Sequence, residues 1–192
     1  MKKSLPKIFI FLDYCNDKIL SNYGPDVGII YRNYNAVKRE NELIKVAKAC
    51  KKKGYKLFVS NNYKLAIKVK ADGIYIPSFN KTKRFLNVEK KNFIIIGSAH
   101  NQKEIHQKIE QKCIAIFLSP TFYVEKSKNY LGICKFNLLS FSNKVNIMAL
   151  GGINQNNIKK LKLLKIKGFG GIGVFKKKPA YKRPVFVKNN FF

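Results

Sequence analysis

Arginine is scarce in this chain of 192 residues: Arg32, Arg39, Arg84 and Arg183 stand against 35 lysines, and tryptophan is absent. Lysine lacks the planar fork that reads guanine or clamps a phosphate through two parallel bonds. The net charge of +29 and the pI of about 10.1 therefore give no case for base-specific nucleic-acid binding. Abundant Lys, Asn and Ile with little Arg and no Trp reads as a coding bias spread along the chain, and the excess charge suits anionic small molecules. Paired cysteines are lacking as well. Cys15, Cys50, Cys113 and Cys134 lie far apart with no Cys-x-x-Cys spacing, which excludes a dithiol redox motif and a cysteine zinc site and leaves reduced thiols. No long apolar run occurs: Ile8–Leu12 is too short for a signal-peptide core and no stretch approaches a membrane span, so a cytoplasmic protein with no membrane partner is expected.

What is present is a chain 46% hydrophobic and 13% aromatic, enough to bury one core. Strands are predicted at Lys7–Leu12, Asp26–Arg32, Lys56–Ser60, Gly73–Ile76, Phe93–Gly97, Cys113–Leu118, Asn146–Leu150 and Ile172–Phe175, the last led into by Gly168-Phe169-Gly170-Gly171. Between them, Leu43, Val46, Ala47 and Cys50 repeat at helical spacing within Arg39–Lys53, which Gly54 closes. Shorter helices are predicted around Leu65–Val69 and Phe136–Leu139. Asn101 with Glu104 has the spacing of a capping box for a helix to about Lys112, and Asn154 is the predicted cap of another to about Lys165. Eight strands alternating with helices over short connections give a single α/β domain, a (β/α)8 TIM barrel. It is a trimmed one: the first connection is short, and no eighth helix is visible. Residues 1–175 form the barrel, and 176–192 a basic C-terminal tail.

In such a barrel the loops after the strands build the site. That rule selects Arg32; Ser60 and Asn61; Ser98 and His100; Ser119, Thr121, Lys126, Ser127 and Lys128; Gly151 and Gly152; Gly170 and Gly171. Hydroxyls and ammonium groups after the buried strand Cys113–Leu118 make an anion site, or simply a solvated loop in a lysine-rich protein. The two glycine pairs could bring backbone amides onto a phosphate, and serve equally well as tight turns. A side chain added at Gly152 is expected to block such an anion and to leave the fold intact. His106 lies within a helix, where a surface or packing role is expected.

Five stretches in order carry a resemblance: ADGIYIP at Ala71–Pro77, GSAHNQKEI at Gly97–Ile105, FLSPTF at Phe117–Phe122, ALGGIN at Ala149–Asn154 and GFGGIGV at Gly168–Val174. Together they resemble the thiamine phosphate synthase/TenI family, from about Val27 to Val174. The resemblance implies a (β/α)8 barrel and phosphorylated pyrimidine and thiazole partners. The synthases join hydroxymethylpyrimidine diphosphate to thiazole phosphate, with magnesium, and expel pyrophosphate; TenI aromatises the thiazole phosphate. It further implies that Arg32, Lys126 and Lys128 act catalytically on the diphosphate. Ser60, Asn61, Ser98, Ser119, Thr121 and Ser127 would then contact substrate, and Gly151, Gly152, Gly170 and Gly171 would hold the thiazole phosphate.

The departures are equally specific. Tyr34 stands where the family's Arg-x-Lys has lysine. Ser60-Asn61 stands where it has Asn-Asp, and its second metal-ligand Asp falls near Phe79 or Asn80. No metal ligand is therefore assigned, and magnesium is expected only in company with the substrate diphosphate. Ser119-Pro120 occupies the place of the TenI histidine. A synthase-like transferase is the first expectation. A TenI-like tautomerase and a non-catalytic barrel binding a phosphorylated thiamine precursor are the alternatives, and the oligomeric state is left open.

Overall fold

A computed structural model of the chain describes residues 5–21, 23–34, 39–84, 93–125, 127 and 129–176. Eight parallel strands close into one barrel in sequence order: β1 Ile8–Leu12, β2 Val27–Tyr31, β3 Lys56–Ser60, β4 Gly73–Ile76, β5 Ile94–Ala99, β6 Ala115–Leu118, β7 Asn146–Leu150 and β8 Gly168–Gly171. Around them run α1 Asp17–Ser21, α2 Arg39–Lys53, α3 Tyr63–Lys68, α4 Gln102–Glu110, α5 Gly132–Phe141 and α6 Gly173–Lys176. A 3-10 helix, Ile158–Leu163, stands between β7 and β8. The TIM barrel expected from the alternation is what forms, and its first connection holds just the five-residue α1. The predicted tail lies almost wholly outside the described residues.

Period-two alternation decides which side chains face inward. Ile8, Ile10 and Leu12 of β1, with Ile29 and Tyr31 of β2 and Leu57 and Val59 of β3, pack outward against the helices. The interior takes Phe9, Phe11, Ile30, Phe58, Tyr75, Ile94, Ile96, Ala115, Phe117 and Met148. Its rings meet mostly edge to face, with Phe9 5.1 Å from Phe117 at 86° and Phe11 5.4 Å from Tyr75 at 86°. That orientation sets the positive ring edge against the negative face. Such rings leave no room for side chains opposite: a Cβ on Gly28 would sit 2.4 Å from the Phe9 ring, and one on Gly170 2.8 Å from Phe11.

Several boundaries differ from the sequence reading: α5 runs Gly132–Phe141 where Phe136–Leu139 was expected, β5 ends at Ala99 and β6 begins at Ala115, and the last strand and the helix before it shift further. The eighth strand is Gly168–Gly171, pairing Ile8 with Phe169, Phe9 with Gly170 and Ile10 with Gly171, and Gly173–Lys176 is a helical turn rather than strand. Glycine has little strand propensity, so this run reads as a lead-in. Here it is the strand itself, because β1 and the aromatic interior approach too closely for anything larger. The helix predicted after Asn154 is also shortened. The Asn154 side chain accepts from the amides of Asn156 (2.9 Å) and Asn157 (3.2 Å), a turn that competes with a cap, and helix begins only at Ile158. The cap at Asn101 forms, with its Oδ1 accepting from the Glu104 amide at 3.0 Å. The Glu104 carboxylate, however, reaches the His100 amide at 2.8 Å.

Closure rests on the backbone of Lys7, whose carbonyl accepts from the Phe169 amide at 2.9 Å. A Cβ on Gly168 would stand 2.2 Å from that same oxygen. Gly168→Ala is expected to cost on the order of 2–3 kcal/mol, the scale of an overpacked core site. Gly24→Ala, with nothing within 4 Å of the added carbon, should leave the urea midpoint nearly unchanged.

Candidate functional site

The C-terminal ends of the strands converge on a mouth whose floor is aromatic. Phe11, Tyr75 and Phe117 close it from below, and the Arg32 guanidinium lies 5.8 Å above the Phe11 ring. Arg32 leaves β2 with its amide bonded to the Leu12 carbonyl (2.8 Å), which aims its side chain across the mouth to Asp13, Nε to Oδ1 at 3.2 Å. Both partners are substantially exposed, so the pair is weak and a more highly charged anion can compete for the guanidinium.

Next to it stand Ser60 and Ser98, both buried. Ser60 Oγ lies 2.9 Å from the Tyr34 hydroxyl, and the Ser98 side chain hydrogen-bonds Tyr75, whose phenol burial pushes well above the usual tyrosine range. Tyr34 itself is raised by partial burial, with Arg32 and Arg39 acting in the opposite direction. Arg39, the first residue of α2, donates from Nη2 to the Ser60 carbonyl at 2.7 Å, and its backbone carbonyl accepts from the Tyr31 hydroxyl at 3.2 Å. Its Nε is buried and finds no partner among the described residues. Two of the four arginines thus flank one tyrosine at the mouth, a concentration of guanidinium charge that composition alone hides.

Asn61 turns the chain after β3 with φ +58°, in the left-handed region that Asn tolerates, and its amide donates to the Tyr75 carbonyl at 3.0 Å. Its Oδ1 accepts directly from Asn80 Nδ2, while Asn80 Oδ1 accepts from the Thr82 amide at 2.8 Å. The loop after β4 is fastened from behind by α4. Lys108, fully buried, donates to the Asn80 carbonyl (2.7 Å) and to Gln111 Oε1 (2.9 Å). Gln111 Nε2 in turn donates to the carbonyls of Asn80 (3.0 Å) and Thr82 (2.7 Å). Burial lowers the Lys108 ammonium to about 8, so it still carries charge at neutral pH. Phe79, on the same loop, is 65% exposed and meets the Tyr34 ring edge-on at 5.9 Å.

His100 bridges three loops. Its Nδ1 lies 2.5 Å from the Ser119 carbonyl, an acceptor, so Nδ1 carries the proton; Nε2 then faces Ser78 Oγ at 3.0 Å and accepts from it when the ring is neutral. His106 sits on α4 within 2.9 Å of Gln102, away from the mouth.

The remaining sequence-selected residues fall differently. Thr121 is buried and its hydroxyl is already used, lying 3.2 Å from the Leu118 carbonyl and 3.0 Å from that of Leu150 while accepting from the Leu150 amide at 3.0 Å. It ties β6 to β7 and has no hydrogen left for a substrate. Ser127 donates to the Asn129 carbonyl within its own loop, and Lys126 and Lys128 lie outside the described residues. Gly151 and Gly152 both have positive φ, +86° and +72°. A Cβ on Gly152 would lie 2.3 Å from the Phe122 carbonyl oxygen. The expectation that a side chain there would spare the fold is therefore corrected, because the obstacle is backbone. Gly170 is an interior strand position, and Gly171, at the strand's end, faces Val174.

Arg39, Phe79 and Lys108 were not among the site residues that the sequence selected. Lys108 left a trace, since it lies three residues after Ile105 on the buried side of α4. No group of three or more His, Cys, Asp or Glu side chains able to hold a metal occurs among the described residues. The same residues contain no helix long and apolar enough to cross a membrane.

A family model described as thiamine monophosphate synthase matches residues 24–174. The thiamine-phosphate synthase of Prochlorococcus marinus subsp. pastoris is 35% identical over 127 residues, 63% of this chain and 35% of its own length. That of Prochlorococcus marinus strain SARG is 30% identical over 138 residues, 67% of this chain and 39% of its own. The chain thus spans little more than a third of these two relatives. The solved thiamine phosphate pyrophosphorylase from Pyrococcus furiosus superposes with a TM-score of 0.69 at 17% identity, covering 88% of this chain and 90% of that one, a likeness of fold.

Replacing Thr121 by Val keeps the shape and removes the hydroxyl. The expected loss is about 1–3 kcal/mol of stability, from backbone groups left without their partner. The loss should appear as a lower urea midpoint with the slope of the transition unchanged.

Proposed function

Since the chain belongs to the thiamine monophosphate synthase/TenI family, we propose that it is a synthase-like transferase, joining hydroxymethylpyrimidine diphosphate to thiazole phosphate with release of pyrophosphate. The observation that carries this reading is the placement of Arg32 and Arg39 around Tyr34 and Ser60 at the mouth of the barrel. In the reaction the carbon–oxygen bond to the diphosphate breaks, its electron pair leaves with the pyrophosphate, and the thiazole takes the vacated carbon. Negative charge grows on the leaving group. Guanidinium charge already in place stabilises it without reorganising, the main way a preorganised site lowers such a barrier.

Phe79 and Tyr34 offer the flat surface a pyrimidine needs, one ring exposed and the other set edge-on against it. Ser60 and Ser98 supply hydroxyls at the base of the same space. The family's magnesium is not fitted by what this loop pair presents. Magnesium calls for hard anionic oxygens, and the two side chains after β3 and β4 are neutral amides bonded to each other. A TenI-like tautomerase is the second reading, favoured by His100, whose fixed Nδ1 proton leaves Nε2 able to exchange one at the mouth.

Purified chain incubated with both phosphorylated precursors should yield thiamine phosphate and pyrophosphate, followed by mass spectrometry. Conversion of a non-aromatic thiazole phosphate alone, lost in His100→Gln, would shift the assignment to the tautomerase. Binding without either product would leave a precursor-binding barrel. In the synthase assay Phe79→Ala should raise KM for the pyrimidine diphosphate by about tenfold, the scale of one lost stacking contact, with kcat less affected.

A further inference from the structure

A diphosphate in water travels with a divalent cation, and a site that accepts the complex usually provides carboxylate oxygens for the metal. This mouth is built the other way. Two carboxylates at positions 61 and 80 would repel one another and require a cation between them. Asn61 and Asn80 instead attract, Nδ2 to Oδ1, and close the gap that an ion would fill. The orientation of the pair is not arbitrary. Asn80 Oδ1 is committed to the Thr82 amide at 2.8 Å, which turns Nδ2 toward Asn61. Behind Asn80 stands a buried cation, the Lys108 ammonium, 2.7 Å from its carbonyl. Toward the mouth, Arg39 Nη2 holds the Ser60 carbonyl at 2.7 Å, Ser60 Oγ lies 2.9 Å from the Tyr34 hydroxyl, and the Arg32 guanidinium stands 5.8 Å above the Phe11 ring. Asp13, the carboxylate facing Arg32, is already paired with it. The local field therefore opposes a divalent cation and favours an anion.

We propose that this barrel binds its diphosphate-bearing substrate without a divalent cation: the Asn61–Asn80 amide pair takes the place of a metal bridge, and the Arg32 and Arg39 guanidinium groups provide the positive charge. Arg32, partly exposed, meets the diphosphate directly. Arg39, held against the Ser60 carbonyl, acts through its charge and by positioning Ser60 and Tyr34. The inference rests on the synthase-like reading and sharpens it, since magnesium expected to arrive with the diphosphate becomes dispensable.

Titration calorimetry of the full chain with inorganic pyrophosphate at physiological ionic strength tests it, once in EDTA and once in excess magnesium. Binding in EDTA with a stoichiometry of about one, weakened by magnesium or changed by no more than about twofold, is the expected result. Binding that requires magnesium overturns the inference and leaves the synthase-like reading standing. Absence of binding in both conditions overturns the inference and removes the diphosphate site from that reading too. Multiple weak events that vanish with added salt would reduce the interaction to bulk lysine charge and likewise overturn it. Arg39→Met should weaken binding in EDTA by about tenfold, and unchanged affinity would strike Arg39 from the site. The Asn61→Asp, Asn80→Asp double variant, checked for folding by circular dichroism, should reverse the metal response, binding pyrophosphate only when magnesium is present.

Discussion

Five aromatic rings packed inside a barrel of four- to six-residue strands are the constraint on which the rest depends. Phe9, Phe11, Phe58, Tyr75 and Phe117 fill an interior that many barrels fill with branched aliphatics. Rings of this size fit only where opposite positions carry no side chain, and Gly28 and Gly170 meet that requirement. The same rings determine what lies above them. Phe11 supports the Arg32 guanidinium, and Tyr75 brings its hydroxyl up to Ser98. Core packing and site placement are thus one problem of volume.

Above that floor, the mouth is held by bonds from outside the barrel. Lys108 of α4 and Gln111, the residue that caps it, anchor the loop after β4 through its carbonyls, and that loop carries Phe79 and Asn80. Burying an ammonium costs free energy that its two hydrogen bonds must offset. Arg39 does the comparable task for the end of β3 from the start of α2. Helices on the outside therefore decide where mouth side chains stand, a division of labour that loop residues alone could not achieve.

Most strands were legible because both barrel faces are apolar and each strand stands out as a short hydrophobic run between turn residues. Asn101 was legible as a cap for a local reason: the bond it makes spans three residues. β8 was misplaced because its glycines answer to Lys7, Phe11 and Phe117, all more than 50 residues away in the chain. Thr121 looked like a ligand-binding hydroxyl since it follows a strand. Its commitment to Leu150, 29 residues on, appears only once β6 and β7 are side by side.

By itself, the sequence determined the barrel through local periodicity, and the resemblance carried by five motifs in order gave the family and the positions where its carboxylates would be expected. Tertiary structure alone decided that Asn61 and Asn80 bond to each other, that Arg39 joins Arg32 beside Tyr34, and that a lysine lies buried behind the site. The two hydrogen-bonded pairings, Asn61 with Asn80 and Lys108 with Asn80, join residues 19 and 28 positions apart, where no local pattern relates one partner to the other. Only closure of the barrel brings them within a hydrogen bond.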